Sequence, residues 1–159
     1  MICCYLDFDG VLHDECVYSS RAAGIFIATP GRTLFEWMPI LEELLAPHPD
    51  VKIVLSTSWV HVKGFNFAKR KLSLSLRARV VGTTYDRSLS SIDFVRVPRG
   101  RQVLNDVERR KPESWFAIDD DDYRWPQEYR DRLVRTSGDT GLNDPEVQAA
   151  IREILRKAQ

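Results

Sequence analysis

The chain has 159 residues, 23 Lys and Arg against 23 Asp and Glu, and an apolar fraction of 43%. That length suits a single domain over residues 1–159 with a sizeable core, and the composition lies well away from disorder. Zero net charge excludes a global field that would draw in nucleic acid or an anionic membrane, and leaves only local basic patches for such a role.

"ICCYLDF" at 2–8 predicts a first, buried strand. Cys3 and Cys4 face opposite sides of it and cannot pair with each other. With Cys16 they form an odd, sparse set that reads as reduced intracellular thiols. Residues 13–33 have room for a turn and a small flap. "LFEWMPILEELLAP" places Leu34, Trp37, Met38, Leu41, Leu44 and Leu45 at helical spacing and is stopped by Pro47 and Pro49.

"VKIVLSTS" is the second strand. "NFAKRKLSLSLRA" reads as a helix, although its Ser-Leu alternation also fits a strand. "RVVGTT" is a third strand, stopped at Gly82, and a polar loop covers 85–98. "RQVLNDVERR" is helical, "SWFAIDD" a fourth strand and "RLVRT" a short fifth. "DPEVQAAIREILRKA" is a final helix capped by Asp144 before Pro145. Strands alternating with helices predict an α/β fold: a three-layer α/β/α sandwich around a mainly parallel five-stranded sheet, with no large cap. Strand-like sequence from Ile2 leaves no signal peptide, and no apolar run approaches a bilayer's thickness, so a soluble cytoplasmic protein is expected.

In such sheets, sites gather at the carboxyl ends of the strands. Strand one ends in Asp7-Phe8-Asp9-Gly10, strand two in Ser56-Thr57-Ser58, and strand four in Asp119-Asp120-Asp121-Asp122. Clustered carboxylates repel unless a cation lies among them. An all-oxygen set built on Asp7, Asp9 and a fourth-strand acid suits Mg²⁺. A carboxylate beside that cation can attack phosphorus, and a second acid two residues on can carry the leaving group's proton. Strand-two hydroxyls and a basic side chain would then hold the phosphoryl oxygens.

These residues resemble the haloacid dehalogenase-like (HAD) hydrolases: "YLDFDGVL" is similar to their first motif, "IVLSTS" to their second and "FAIDDDD" to their fourth. "DGVLH", "TSW", "GTT" and "GL" are closer still to small HAD-like domains associated with bacterial RNA-repair proteins. The resemblance implies Asp7 as nucleophile and metal ligand. It implies Asp9 as general acid/base, with its backbone carbonyl on the metal and Gly10 lining the phosphoryl pocket. Ser56 and Thr57 are the hydroxyl candidates, Thr57 ahead, and Asp119 and Asp120 complete the metal set without a choice between them. For the basic third motif, Lys111 lies only eight residues before Asp119, too near the strand; Arg101 is preferred and Arg99 held in reserve.

The expected activity is therefore a Mg²⁺-dependent phosphatase with an aspartyl-phosphate intermediate. Its uncapped site would suit a large substrate such as a phosphorylated nucleic-acid end, contacted by "HVKGFNFAKRK" and "RVPRGR". The rival is a non-catalytic module that binds phosphate or nucleic-acid ends. His13 reads as an exposed loop histidine, Trp59, Trp115 and Trp125 as packing, Asp121 and Asp122 as solvated, and Thr83-Thr84 as a cap for the next segment.

Overall fold

The computed structural model describes residues 1–158. Five strands, β1 (Ile2–Leu6), β4 (Val51–Leu55), β5 (Val80–Thr83), β6 (Ser114–Asp119) and β7 (Leu133–Arg135), form one wholly parallel sheet in the order β5-β4-β1-β6-β7. β1 is central, and its residues from Cys3 to Leu6 are buried on both faces, which explains its unbroken apolar run. Among the described residues no helix is long and apolar enough to cross a membrane.

Side chains of successive strand residues feed opposite cores. Cys4 and Leu6, with Ile53, Leu55, Phe116 and Ile118, face helices α1 (Met38–Leu45) and α7 (Pro145–Lys157), which contribute Leu41, Leu45, Ile151 and Leu155. Cys3 and Tyr5 face α6 (Arg99–Arg110), where Val103 and Leu104 pack with Val54, Trp115, Ala117 and Trp125. Each fully buried side chain of this size contributes about 1.5–3 kcal/mol. Cys3 and Cys4 are therefore free thiols on opposite faces, as adjacency on a strand dictates.

Tyr5 carries its hydroxyl into the smaller core and donates it to Asp106 at 2.9 Å; Arg110 grips the same carboxylate at 2.8 and 3.1 Å. The polar groups of this core thus satisfy one another, and they fix α6 against β1.

Several predicted elements divide or shift for local reasons. The stretch read as one helix over 66–78 is α3 (Phe65–Lys71) and α4 (Leu74–Arg77). Leu72 is extended between them, and the Ser73 hydroxyl caps α4 while donating to Glu42 at 2.6 Å. α1 starts at Met38, four residues later than the apolar spacing suggests, because Pro39 fits only its first turn. The predicted loop at 85–98 contains α5 (Ser91–Arg96), whose cap Ser90 accepts the Asp93 amide at 3.1 Å and donates to its carboxylate at 2.7 Å. The segment expected as a flap is an antiparallel hairpin of β2 (Val17–Ser20) and β3 (Gly24–Ile27). α2 (Ser58–Lys63) begins directly behind β4, with the Thr57 hydroxyl accepting the Trp59 amide.

The chain steps outward from β1 to β4 and β5, then returns to the other side of β1 through β6. The order therefore reverses between β1 and β6, and a crevice opens above their carboxyl ends.

Candidate active site

Ladder hydrogen bonds carry the strand ends one residue into that crevice. The Asp7 amide donates to Ile118 at 3.1 Å, the Ser56 amide to Leu6 at 2.8 Å, and the Thr136 amide to Asp119 at 3.1 Å. Asp7, Asp119 and Asp120 come together there, with one carboxylate oxygen from each lying within 4.8 Å of the others. Asp7 and Asp119 are buried, and Asp120 is half-buried.

Three carboxylates this close resist ionisation together. Burial, followed by the charge of Asp7, pushes Asp120 up to about 7. Burial raises Asp119 as well, with Asp7 adding to the effect. Asp7 is raised by burial and by the Asp9 charge, against the pull of Arg99, the Phe8 amide and the Thr57 hydroxyl. A purely oxygen donor set whose members repel one another fits a hard divalent cation such as Mg²⁺, which would relieve all three.

Gly10 makes this proximity possible. Its φ of 72° lies in the left-handed region, and a Cβ there would come within 2.7 Å of the Asp120 carboxyl carbon. The Thr136 hydroxyl donates to the Gly10 carbonyl at 2.7 Å and ties the turn to the end of β7. At 141–142, Leu142 donates its amide to Val11 at 3.0 Å, and a Cβ on Gly141 would lie 2.6 Å from the Trp37 ring. The "GL" pair thus props the turn from behind.

The basic group at the acids is Arg99, and the expectation of Arg101 is corrected. Arg99 places Nη2 3.7 Å from Asp7 and Nε 3.5 Å from Asp119, while Nη1 donates to the Ser56 carbonyl. Burial works against its charge, but Asp7, Asp119, Asp121 and Asp120 outweigh that effect and hold the guanidinium above its ordinary value. Arg101, two residues on, turns to solvent and among the described residues pairs with Glu108 at 3.8 Å. The helix starts at Arg99, so a two-residue step rotates the side chain by about 200°, onto the other face.

Thr57 and Ser56 are both buried; the Thr57 hydroxyl donates to Asp7, whereas the Ser56 carbonyl accepts from Arg99. Asp121 presents its amide to Asp119 at 3.0 Å. Asp122 is not merely solvated, since it pairs with Arg130 at 2.9 Å and Arg135 at 3.4 Å. The Thr83 hydroxyl donates to Leu55 at 2.8 Å and accepts the Tyr85 amide at 3.2 Å, the capping arrangement expected for it.

The Asp9 carboxylate stands outside the three-acid cluster; the metal contact that the resemblance implies for Asp9 runs through its backbone carbonyl. Its Oδ1 accepts from Trp59 Nε1 and from His13 Nε2, each at 2.8 Å. His13 Nδ1 in turn accepts the Phe35 amide at 3.1 Å, so the ring proton sits on Nε2 and is given to Asp9. His13 is fully buried, 4.7 Å from the Phe35 ring and 5.8 Å from Trp59, contrary to an exposed loop residue. The signal lay in the four-residue interval of Asp9 and His13: the turn brings these two residues back into a bridge.

A family model described as the HAD domain in Swiss Army Knife RNA repair proteins matches residues 3–147. The chain belongs to this family. No curated protein and no solved structure matches it. As a HAD domain it carries the all-oxygen acidic group at the place where its sheet reverses, with the half-buried Arg99 beside it.

Proposed function

We propose that this HAD domain is a Mg²⁺-dependent phosphatase that works through a phosphorylated Asp7 and acts on phosphorylated nucleic-acid ends. The observation that carries the reading is the division of labour among the carboxylates. Asp7 lies between Arg99 and Thr57 and joins the Asp119–Asp120 cluster, whereas Asp9 is held apart by two donors.

An Asp7 oxygen attacks phosphorus as the ester P–O bond breaks, and Asp9 gives its proton to the departing oxygen. Water then attacks phosphorus, Asp9 takes a proton from it, and the P–O bond to Asp7 breaks to release phosphate. Arg99 and the Thr57 hydroxyl bind the phosphoryl oxygens, and because both are already fixed they need no reorganisation as charge shifts. Mg²⁺ held by Asp7, Asp119 and Asp120 would offset the charge shared by nucleophile and phosphoryl group.

The choice of substrate is supported by the family's association with RNA repair and by the small size of the insertion after β1, the short β2–β3 hairpin that borders Asp9. Basic side chains of "HVKGFNFAKRK" provide a local contact for a polyanion.

The test is phosphate release with Mg²⁺ or EDTA from an aryl phosphate, nucleotides, and RNA and DNA bearing 3′- or 5′-phosphates, with Asp7→Asn alongside. Metal-dependent release that the variant lacks is the expected result. Silence across the panel, with no Asp7-dependent uptake of beryllofluoride, would refute the reading in favour of a binding module.

A further inference from the structure

Two hollows adjoin the crevice, and they differ in one decisive residue. The larger, about 450 Å³, lies between α2, α5 and the start of α6; Thr57, His61, Phe94, Arg96, Arg99 and Arg124 are among its lining residues. The smaller, about 180 Å³, lies between the β2–β3 hairpin and α2 and is lined by Val17, Ile25, Trp59, Val62, Lys63 and Asp9, among others. Asp9 borders only the second. If Asp9 serves the departing oxygen, as the proposed function has it, that oxygen must lie within hydrogen-bond reach of its carboxylate.

The carboxylate has little freedom to swing elsewhere. Trp59 and His13 both donate to Oδ1, which leaves Oδ2 as the oxygen open to a third partner. We infer that the hairpin groove, not the larger arginine-lined cleft, receives the leaving group, and that it takes the terminal nucleoside of the substrate with its base lying between Ile25 and Val62. The inference rests on the proposed phosphatase reading and adds to it the side on which the substrate leaves.

The chemistry of the groove fits that occupant. Ile25 and Val17 present an apolar wall from the hairpin, the Trp59 ring stands behind, and Val62 closes the other side with 64% of its surface exposed. A base is a flat, largely apolar plate that profits from such walls, whereas a polyol leaving group would lose its water there without replacement. Lys63 at the rim is in no ion pair among the described residues, and a cation there suits the next phosphate of a strand.

The experiment compares wild type with Val62→Asp and Arg124→Ala on a nucleoside monophosphate and on acetyl phosphate, whose departing acetate needs no apolar groove. Val62→Asp is a surface change that leaves the fold alone. It is expected to lower kcat/KM for the nucleotide by about 10-fold or more, the cost of a lost apolar contact in a pocket. Acetyl phosphate turnover stays unchanged, and Arg124→Ala leaves both substrates as they were. Loss in Arg124→Ala with none in Val62→Asp would overturn the inference, as would equal loss on both substrates. Wild type that hydrolyses acetyl phosphate but no nucleotide would overturn it while leaving the phosphatase reading intact.

A second measurement does not depend on turnover. Amide shifts of Asp7→Asn titrated with the same nucleotide and Mg²⁺ are expected at Ile25, Val62 and Lys63. Shifts at Phe94, Arg96 and Arg124 instead, or none, would refute the placement even if wild type proves inactive.

Discussion

Crowded carboxylates make the cation-free protein sensitive to pH in an unusual direction. Asp120 sits at about 7 against an ordinary 3.8, because of burial and then the charge of Asp7. Between those values the folded protein keeps a proton that the unfolded chain has already lost. Stability is therefore full near pH 4 and falls as the pH rises through 7, the reverse of the usual ion-paired aspartate. Three pH units at about 1.4 kcal/mol each set a ceiling of about 4 kcal/mol on the loss from this one group. Asp7 and Asp119 are raised too, and they act in the same sense.

Mg²⁺ should replace the missing proton, adding about 2.7 kcal/mol at a hundredfold excess over its Kd. Urea unfolding followed by tryptophan fluorescence, near pH 5 and near pH 7.5, with EDTA or Mg²⁺, measures both effects. Asp120→Asn in EDTA near pH 7.5 should be more stable than wild type, and Mg²⁺ should add little to it. A wild-type profile that is flat with pH in EDTA would refute the reasoning, as would Mg²⁺ stabilisation that survives undiminished in Asp120→Asn.

Three other outcomes follow from the geometry. Arg99→Ala should lower kcat by about 10²- to 10³-fold, the usual cost of losing a preorganised charge-stabilising donor, while Arg101→Ala should match wild type in phosphate-release assays. His13→Phe keeps an aromatic ring, slightly larger, but removes the donor to Asp9, so kcat should fall about tenfold or more with KM little changed. Trp59→Phe should do the same, and the double variant should cost less than the product of the two, since both act on one oxygen. Gly10→Ala combines a strained φ with a clash against Asp120. It should lose about 1–3 kcal/mol from backbone conformation alone and also weaken the Mg²⁺ response in thermal melts.

Much of this arrangement was legible in the sequence because it depends on strand ends. Apolar runs gave the five parallel strands, and the residue following each run is the residue in the crevice: Asp7, Ser56-Thr57, Asp119-Asp120. Arg99 was harder, because a helix turns about 100° per residue and an uncertain start rotates the whole face; Arg101 lost by two positions. His13 was hidden by its isolation in a loop. Nothing in a linear reading shows that the Phe35 amide, held at a φ of 59°, will arrive 22 residues later to fix its tautomer. The hairpin and α5 were missed for a plainer reason: four- and six-residue elements carry too few periods to register.

The bond from Tyr5 to Asp106 has a meaning beyond filling a core. Tyr5 stands two residues before Asp7 on the strand, about 7 Å along its axis. Asp106 stands seven residues after Arg99 on the helix, about 10 Å along its own. The tyrosine hydroxyl is thus a fixed pin between two rulers, and the gap between Asp7 and the Arg99 guanidinium is read off where the rulers end. A helix that slid by one residue on that pin would carry Arg99 about 1.5 Å along its axis, enough to break its 3.5–3.7 Å pairing with Asp7 and Asp119 without unfolding anything. Calibration of the Asp7–Arg99 pair is built into the floor of the sheet, away from the crevice itself.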